Sequence, residues 1–323
     1  MTLLKKVAGE LLKKHNVIWI LVGLITVGLY LCLTVPNNAG RGEPEDDCWL
    51  RVIDSYHRVI TIAQEPSRVV SLAPGITEII FALGKGKTLV GRTDYCDYPE
   101  EAGGIESVGN IMNPSIEKIV ELNPDIVIAS THFQKTVLKK LEDLGVKVAV
   151  LYGEENFDGV YDTIRQVGKI LNSNEKAAQV ITAMQKKVTY ITSAVEHGRK
   201  PKVFYIVFYG DGGFYTAGQG TFIGNMLTLA GGDNAAADSK GWQYSIEKLV
   251  EKDPEFLICS KFYHTKSVLE RTPGLKDVQA VKEGRLLEID HNLLDRQGPR
   301  LAEGLETLAR LLHPEIFGDC RKE

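Results

Sequence analysis

The chain has 323 residues, 44% of them hydrophobic and 25% charged, the balance of a packed globular protein too long for one small domain. A net charge of −4 and the lack of any basic stripe exclude a nucleic-acid partner recruited by electrostatic attraction. Five cysteines without a CxxC pair signal neither a zinc site nor a disulfide framework; free thiols are expected, with a Cys48–Cys320 bridge as the alternative.

Residues 17–35, VIWILVGLITVGLYLCLTV, carry no charge over nineteen positions, enough to span a bilayer and longer than a usual signal-peptide core. Lys5, Lys6, Lys13 and Lys14 precede the stretch and Glu43, Glu45, Asp46 and Asp47 follow it, so the basic stub stays in the cytoplasm and the rest lies outside. Tyr30 and Leu31 stand before Cys32 where a lipoprotein cleavage site wants small residues, and Asn37 is a weak −3 residue for cleavage near Ala39. The expectation is a retained anchor over 1–36 and a flexible tether over 37–50, rich in Pro, Gly, Asn and acids.

Beyond the tether, residues 51–64 alternate as a hairpin around Ser55–His57. Arg68–Leu72 reads as a strand, broken by Ala73-Pro74-Gly75, with a helical pattern from Ile76 to Leu83 and a strand at Thr88–Gly91. A helix from Pro114 to Leu122, a strand at Ile126–Ala129, a helix at Phe133–Leu144 and a strand at Val146–Leu151 continue the alternation. That order predicts an α/β lobe with a mostly parallel sheet over 51–172. Residues 174–197 form one uninterrupted helical pattern, with Ala178, Ile181, Val188 and Ile191 near helical spacing, placing a linking helix over 173–198. A second α/β lobe over 199–323 opens with a strand at Val203–Phe208. It runs through helices at Phe222–Ala230 and Pro299–Leu312, with a strand at Arg285–Ile289 between them. The predicted fold is thus two α/β lobes joined by one long spine helix, plus an N-terminal transmembrane helix.

One segment occurs twice: SIEKIVELNPDIVIAS at 115–130 and SIEKLVEKDPEFLICS at 245–260 share nine of sixteen positions at an offset of 130 residues. Ile116, Ile119 and Val120 fall on one helix face, as do Ile246, Leu249 and Val250. Asn123-Pro124 and Asp253-Pro254 end the helices, because the residue before proline is pushed out of the helical region. Glu117 and Glu247 sit in the first turns, off the apolar stripes, where acids favour the positive end of the helix dipole. Two equivalent carboxylates on two lobes also suit a two-point dock for a basic partner.

The segments RVVSLAPGITEIIFALG (68–84), VGRTDYCDYPEEA (90–102), VGNIMNPSIEKIVELNPDIVIAS (108–130), TAGQGTFIGNMLTLAGGDNAAAD (216–238) and GPRLAEGLETLARLLHPEIFG (298–318) carry a resemblance. Together they resemble the extracytoplasmic solute-binding proteins of ABC importers for metal chelates, which include cobalamin, ferric-siderophore and haem receptors. The resemblance spans roughly residues 51–318 in order and implies two lobes bridged by one helix. It also implies that Glu117 and Glu247 are acids, one per lobe, that dock onto arginines of an ABC permease dimer with its ATPase subunits. No catalytic cofactor is implied; the bound ligand is a corrinoid, as first choice, or a ferric siderophore.

Loops at the carboxyl ends of parallel strands form the crevice in α/β folds. Here they hold Tyr95, Asn110, Tyr209, Phe214, Trp242 and Asn292, a set rich in aromatics and suited to a large flat macrocycle. Tyr95 and Trp242 resemble pocket positions of cobalamin receptors; for each, an ordinary packed aromatic is the competing reading. An anionic ferric catecholate would need clustered cations, for which Arg92, Lys261, Arg296 and Arg300 are the candidates. His132 and His264 follow the two equivalent strands and, with Tyr95 or Tyr263, represent the rival reading of a haem or metal-ion site. Gly218, Gly220 and Gly224 weakly echo a phosphate-binding loop, but no following acid, GKS/GKT loop, HExxH motif or Ser/His/Asp signature accompanies them. An enzyme is not expected.

Overall fold

The computed structural model describes residues 49–131, 133–210 and 213–318. The apolar stretch 17–35, the tether up to residue 48, His132, Cys48 and Cys320 lie outside the described residues. Among the described residues no helix is long and apolar enough to cross a membrane.

The first lobe begins with the expected hairpin, β1 (Leu50–Ile53) antiparallel to β2 (Val59–Ile62). Its turn is organised by Asp54, which accepts from the backbone N–H groups of Tyr56, Arg58 and Val150 and pairs with the Arg58 guanidinium. Strands β3 (Val69–Ser71), β4 (Leu89–Arg92), β5 (Ile126–Ala129) and β6 (Val148–Val150) make a parallel sheet in the order β4-β3-β5-β6. Every residue of β3, β5 and β6 is buried, the pattern of a sheet covered on both faces. The covering helices are α1 (Pro74–Ala82), α2 (Ile116–Glu121), α3 (Lys135–Asp143) and α4 (Phe157–Ile170). Helix α1 begins two residues before the expected Ile76. Pro74 is at home in a first turn, where its missing N–H has no intrahelical partner to lose.

Helix α5 (Asn174–Val195) is the spine. It packs against α4 on one side and against the C-terminal α11 (Leu301–Leu312) on the other. Its buried line is Ala177, Ile181, Met184, Ile191 and Val195; Ala178 is exposed, correcting the expected register by one position at that end. Gly168 of α4 permits close approach there, since a Cβ on it would stand 2.7 Å from the Ala177 methyl. Lys187 reaches Glu306 of α11 at 2.8 Å.

The second lobe contains β7 (Lys202–Gly210), β8 (Gly213–Thr216), β9 (Asp233–Asn234), β10 (Gln243–Tyr244), β11 (Phe256–Ser260) and β12 (Leu286–Ile289). The order is β10-β8-β7-β11-β12, with β9 beside β7. Strands β7, β9, β11 and β12 run parallel, whereas β8 and β10 add an antiparallel edge that the alternation of strand and helix did not foretell. Helices α6 (Phe222–Leu229), α7 (Ile246–Lys252), α8 (Thr265–Glu270), α9 (Gln279–Lys282) and α10 (Asn292–Asp295) precede α11. One apolar core runs from Ile126 and Ile164 in the first lobe, through Ile181 of the spine, to Val203 and Leu305 in the second. Each lobe also has a separate core on its far face. The lobes are therefore joined by continuous packing and not by a bare tether.

The doubled segment folds twice in the same way. Ser115 caps α2 by accepting from the Lys118 N–H, and Ser245 caps α7 by accepting from the Lys248 N–H, each at 3.3 Å. Asn123 and Asp253 end the helices in the left-handed region, at φ 44° and 43°. Only Ile119 and Leu249 are fully buried on these helices; Val120 and Val250 are 41% and 38% exposed, so the expected apolar stripe is one residue narrower in both copies.

Candidate functional site

A cavity of ≈ 950 Å³ opens between the two sheets. Its walls are loops at the carboxyl ends of strands: Tyr95 after β4, Ser130 and Thr131 after β5, His291 and Asn292 after β12. Trp242, just before β10, faces Tyr95's lobe from the other side, and Ile111, Val207, Phe222 and Ile223 add apolar surface. Tyr95 and Trp242 are 52% and 44% exposed, large rings held open to the cavity instead of packed away. The cavity lies at the upper end of the usual size for small-molecule sites and is large enough for a macrocycle.

Other expected ligand residues fall elsewhere. Phe214 is fully buried in the second lobe's far core, edge-on to Phe204 and stacked on Tyr209 at 4.7 Å between centroids. The physical reason is strand alternation: β8 turns Phe214 into the core and Tyr215 to the opposite face, beside Phe208. Tyr209 is half-buried against the same core and does not line the cavity. Asn110 is spent on its own turn, accepting from the Met112 N–H, while the next residue, Ile111, reaches the wall. His264 is exposed away from the wall, and His132 lies outside the described residues.

The glycines of 218–224 have structural roles. A Cβ on Gly218 would stand 2.5 Å from the Gly241 and Ser239 carbonyls, so the loop packs against 239–241, and Thr221 caps α6 through the Gly224 N–H. Gln219, Gly220 and Thr221 line the cavity.

His291 is the cavity residue that sequence reasoning passed over in favour of Asn292. Its Nδ1 lies 2.8 Å from Ser260 Oγ, and that hydroxyl oxygen accepts from the Phe262 N–H at 3.1 Å. Phe262 meets the imidazole edge-on at 5.2 Å. One ring nitrogen is thus fixed and the ring orientation set. The signal available was its place directly after a parallel strand.

The cationic candidates do not converge as free charges. Arg92 donates to the carbonyls of Ala102, Thr93, Asp94 and Gly103, and Lys261 pairs with Asp290 at 3.1 Å. Arg300 donates to both carboxylate oxygens of Glu78, at 3.0 and 2.7 Å, and lies over the Tyr98 ring at 3.6 Å. Arg296 lines the cavity but is held by Asp97 at 2.6 Å and Glu78 at 3.4 Å. These contacts join the lobes, because Glu78 and Asp97 belong to the first and both arginines to the second. The backbones also touch: a Cβ on Gly75 would stand 2.6 Å from the Gln297 carbonyl oxygen, which explains glycine in that first helical turn.

Burial raises the Asp97 carboxyl's pKa, but the Arg296 hydrogen bond and charge outweigh it and the net shift is downward. Asp295, open to the cavity yet walled by protein, is shifted upward by desolvation, with Asp290 adding to that and His291 and Arg296 opposing it. Cys96 and Cys259 are buried free thiols; burial pushes Cys96 up and Cys259 up to about 12, so neither is a ready thiolate. Among the described residues no group of three or more His, Cys, Asp or Glu side chains is placed to hold a metal ion.

Glu117 and Glu247 are both exposed and do not line the interlobe cavity. Glu117 accepts from the Ser115 hydroxyl and borders a second hollow of ≈ 600 Å³, together with Asp94, Lys118 and Lys140.

Comparison with known proteins agrees with this geometry. Residues 69–293 match the family model described as periplasmic binding protein. The chain is 35% identical over 270 residues to an uncharacterised ABC transporter substrate-binding lipoprotein, YvrC, of Bacillus subtilis (strain 168), covering 82% of this chain and 85% of that protein. It is 28% identical over 312 residues to a cobalamin-binding protein of Halobacterium salinarum (strain ATCC 29341 / DSM 671 / R1), covering 90% and 84%. Among solved structures it is similar to the apo periplasmic heme-binding protein RhuT of Roseiflexus sp. RS-1. That match has a TM-score of 0.72 and 27% identity, covering 76% of this chain and 98% of that one. With two α/β lobes and mostly parallel sheets around an interlobe cavity, the chain belongs to the periplasmic binding protein family, whose members bind solutes for transport and are not enzymes.

Proposed function

We propose that the protein captures a metal chelate, a corrinoid such as cobalamin, between its lobes and delivers it to an ABC permease dimer with its ATPase subunits. The observation that carries the ligand class is the cavity of ≈ 950 Å³ with Tyr95 and Trp242 open on opposite walls while every arginine near it is already paired. Aromatic faces bury a flat neutral macrocycle well, each with few rotors to freeze. A triply anionic ferric catecholate would find no free cation cluster, so the ferric-siderophore alternative is less well supported. Similarity to a cobalamin-binding protein supports the ligand class, and similarity to an ABC transporter substrate-binding lipoprotein supports the delivery. On it, Tyr95 and Trp242 hold the ligand, and Glu117 and Glu247 dock the permease. The protein faces the outside of the cell membrane, anchored through residues 17–35.

A second reading is haem, favoured by His291, whose Nδ1 is tied to Ser260 so that its ring is fixed at the cavity wall. Recording an absorption spectrum of the protein purified from its host, followed by calorimetric titration, separates the two. A corrinoid spectrum and saturable heat with cyanocobalamin support the first; a haem spectrum with no corrinoid heat overturns it.

A further inference from the structure

The interlobe charge cluster contains two guanidiniums, Arg296 and Arg300, and two carboxylates, Glu78 and Asp97. It is neutral as a whole. Glu78 gives both its oxygens to Arg300 and only a long contact, 3.4 Å, to Arg296. Asp97, at 2.6 Å, is therefore the anion that answers Arg296, the one arginine of the pair on the cavity wall. The Arg296 side chain is 9% exposed, so its charge is little screened by solvent, whereas the Asp97 side chain is 64% exposed and packs little. Two further acids line the cavity: Glu155, which accepts from the Gln297 amide at 3.4 Å, and Asp295, close to His291 and adjacent to Arg296 in sequence.

We infer that Asp97, by neutralising Arg296 at the cavity wall, is a specificity-determining residue that keeps anionic chelates out and restricts the site to neutral or cationic ones. The inference rests on the reading of this cavity as a chelate site and adds the charge class of the chelate. Without Asp97 the cluster holds two positive charges and one negative one, and the surplus sits where a ligand would touch it. A carboxylate or catecholate on the ligand then gains a charged donor in place of facing a closed ion pair. Selection of this kind works by withholding a partner from the wrong ligand. Asp97 follows Tyr95 by two positions, so a single loop supplies the apolar contact and sets the charge beside it.

The test compares full-length wild type with Asp97→Asn and Asp97→Ala by calorimetry. Three probes are used: cyanocobalamin, its monocarboxylic acid derivative (the same macrocycle with one added negative charge) and haemin. Both variants are expected to bind the anionic probes on the order of tenfold more tightly than wild type does, with the gain shrinking as salt rises. Neutral cyanocobalamin shows no comparable gain, so the ratio of anionic to neutral affinity rises in both variants. If cyanocobalamin binds normally and neither variant gains on either anionic probe, the selectivity is wrong and the corrinoid reading stands. If wild type ignores cyanocobalamin but the variants gain on haemin, the selectivity stands and the corrinoid reading falls. Silence of all three proteins towards all three probes sinks both.

Discussion

Glu78 of the first lobe accepts two hydrogen bonds from Arg300 of the second, across 222 residues of chain. The Glu78 side chain is 2% exposed, so each partner depends on the other for its solvation. Replacing Glu78 by Ala leaves two guanidiniums at the lobe junction with only Asp97 to answer them. We predict a loss of about 3–5 kcal/mol, as for a buried ion pair broken from one side. Urea unfolding checks this; a change of a few tenths would mean that water already solvates the junction.

Trp242→Ala should weaken corrinoid binding by about 1–3 kcal/mol, the usual worth of a large apolar side chain at the centre of a contact. Trp242 is 44% exposed, so the melting temperature should hardly move. Phe214→Ala should do the opposite, lowering stability through a core cavity while leaving the cavity wall's chemistry intact. Thermal melts beside titrations separate the two behaviours.

The double change Glu117→Ala, Glu247→Ala should cripple uptake of labelled ligand by cells, while calorimetry on the purified protein still shows ligand binding. Both acids are exposed and outside the cavity wall, and Ser115 and Ser245 continue to cap their helices. Reversal of both charges to Lys should be worse than Ala, because like charges then meet at the dock. Normal transport by the double mutant would reduce the acids to helix-end charges.

Ligand release should rotate the lobes by only a small angle. Helix α5 packs along both lobes and the apolar core passes through it, so wide opening would expose that core to water. Small-angle scattering with and without ligand should give nearly superimposable curves; a large change in radius of gyration would contradict the shared core.

Acid should loosen the fold late. Asp54 and Asp97 are both shifted below the ordinary value of 3.8, with burial opposing the shift and the partner arginine's hydrogen bond prevailing in each case. A carboxyl with a lowered folded pKa contributes stability that is full above its unfolded value and vanishes as pH falls through its folded one. These two groups therefore leave stability flat between about pH 5 and 8 and withdraw it only in stronger acid. Denaturant midpoints across the pH range check the window, and Asp54→Asn should flatten the acid limb.

Much of the architecture was legible because it is local. The spacing of apolar residues, the Asn123-Pro124 and Asp253-Pro254 stops and the β-branched runs located most helices and strands within one to three residues. The doubled segment announced two equivalent units, and it put Glu117 and Glu247 in first turns capped by Ser115 and Ser245. Periodicity failed at the edges of the packed faces. Val120 and Val250 continue an apolar stripe in sequence but face outward, and Ala178 yields its buried place to Ala177, which Gly168 meets on the neighbouring helix.

The cavity wall was less legible. Tyr95, Trp242 and Phe214 are all aromatics near strand ends, and composition cannot tell the two that stay open from the one that fills a core. The antiparallel edge β8–β10 makes that choice, since pairing register fixes which face each side chain takes. His291 became a wall residue only when β12 docked beside β11 and brought Ser260 to its Nδ1. The sequence by itself determined the lobes, the spine and the two first-turn acids, because those follow from interactions over one or two helical turns. The tertiary structure alone decided the charge of the cavity, because Arg296 and Arg300 lose their availability to residues some two hundred positions away, and no local pattern encodes a partner at that distance.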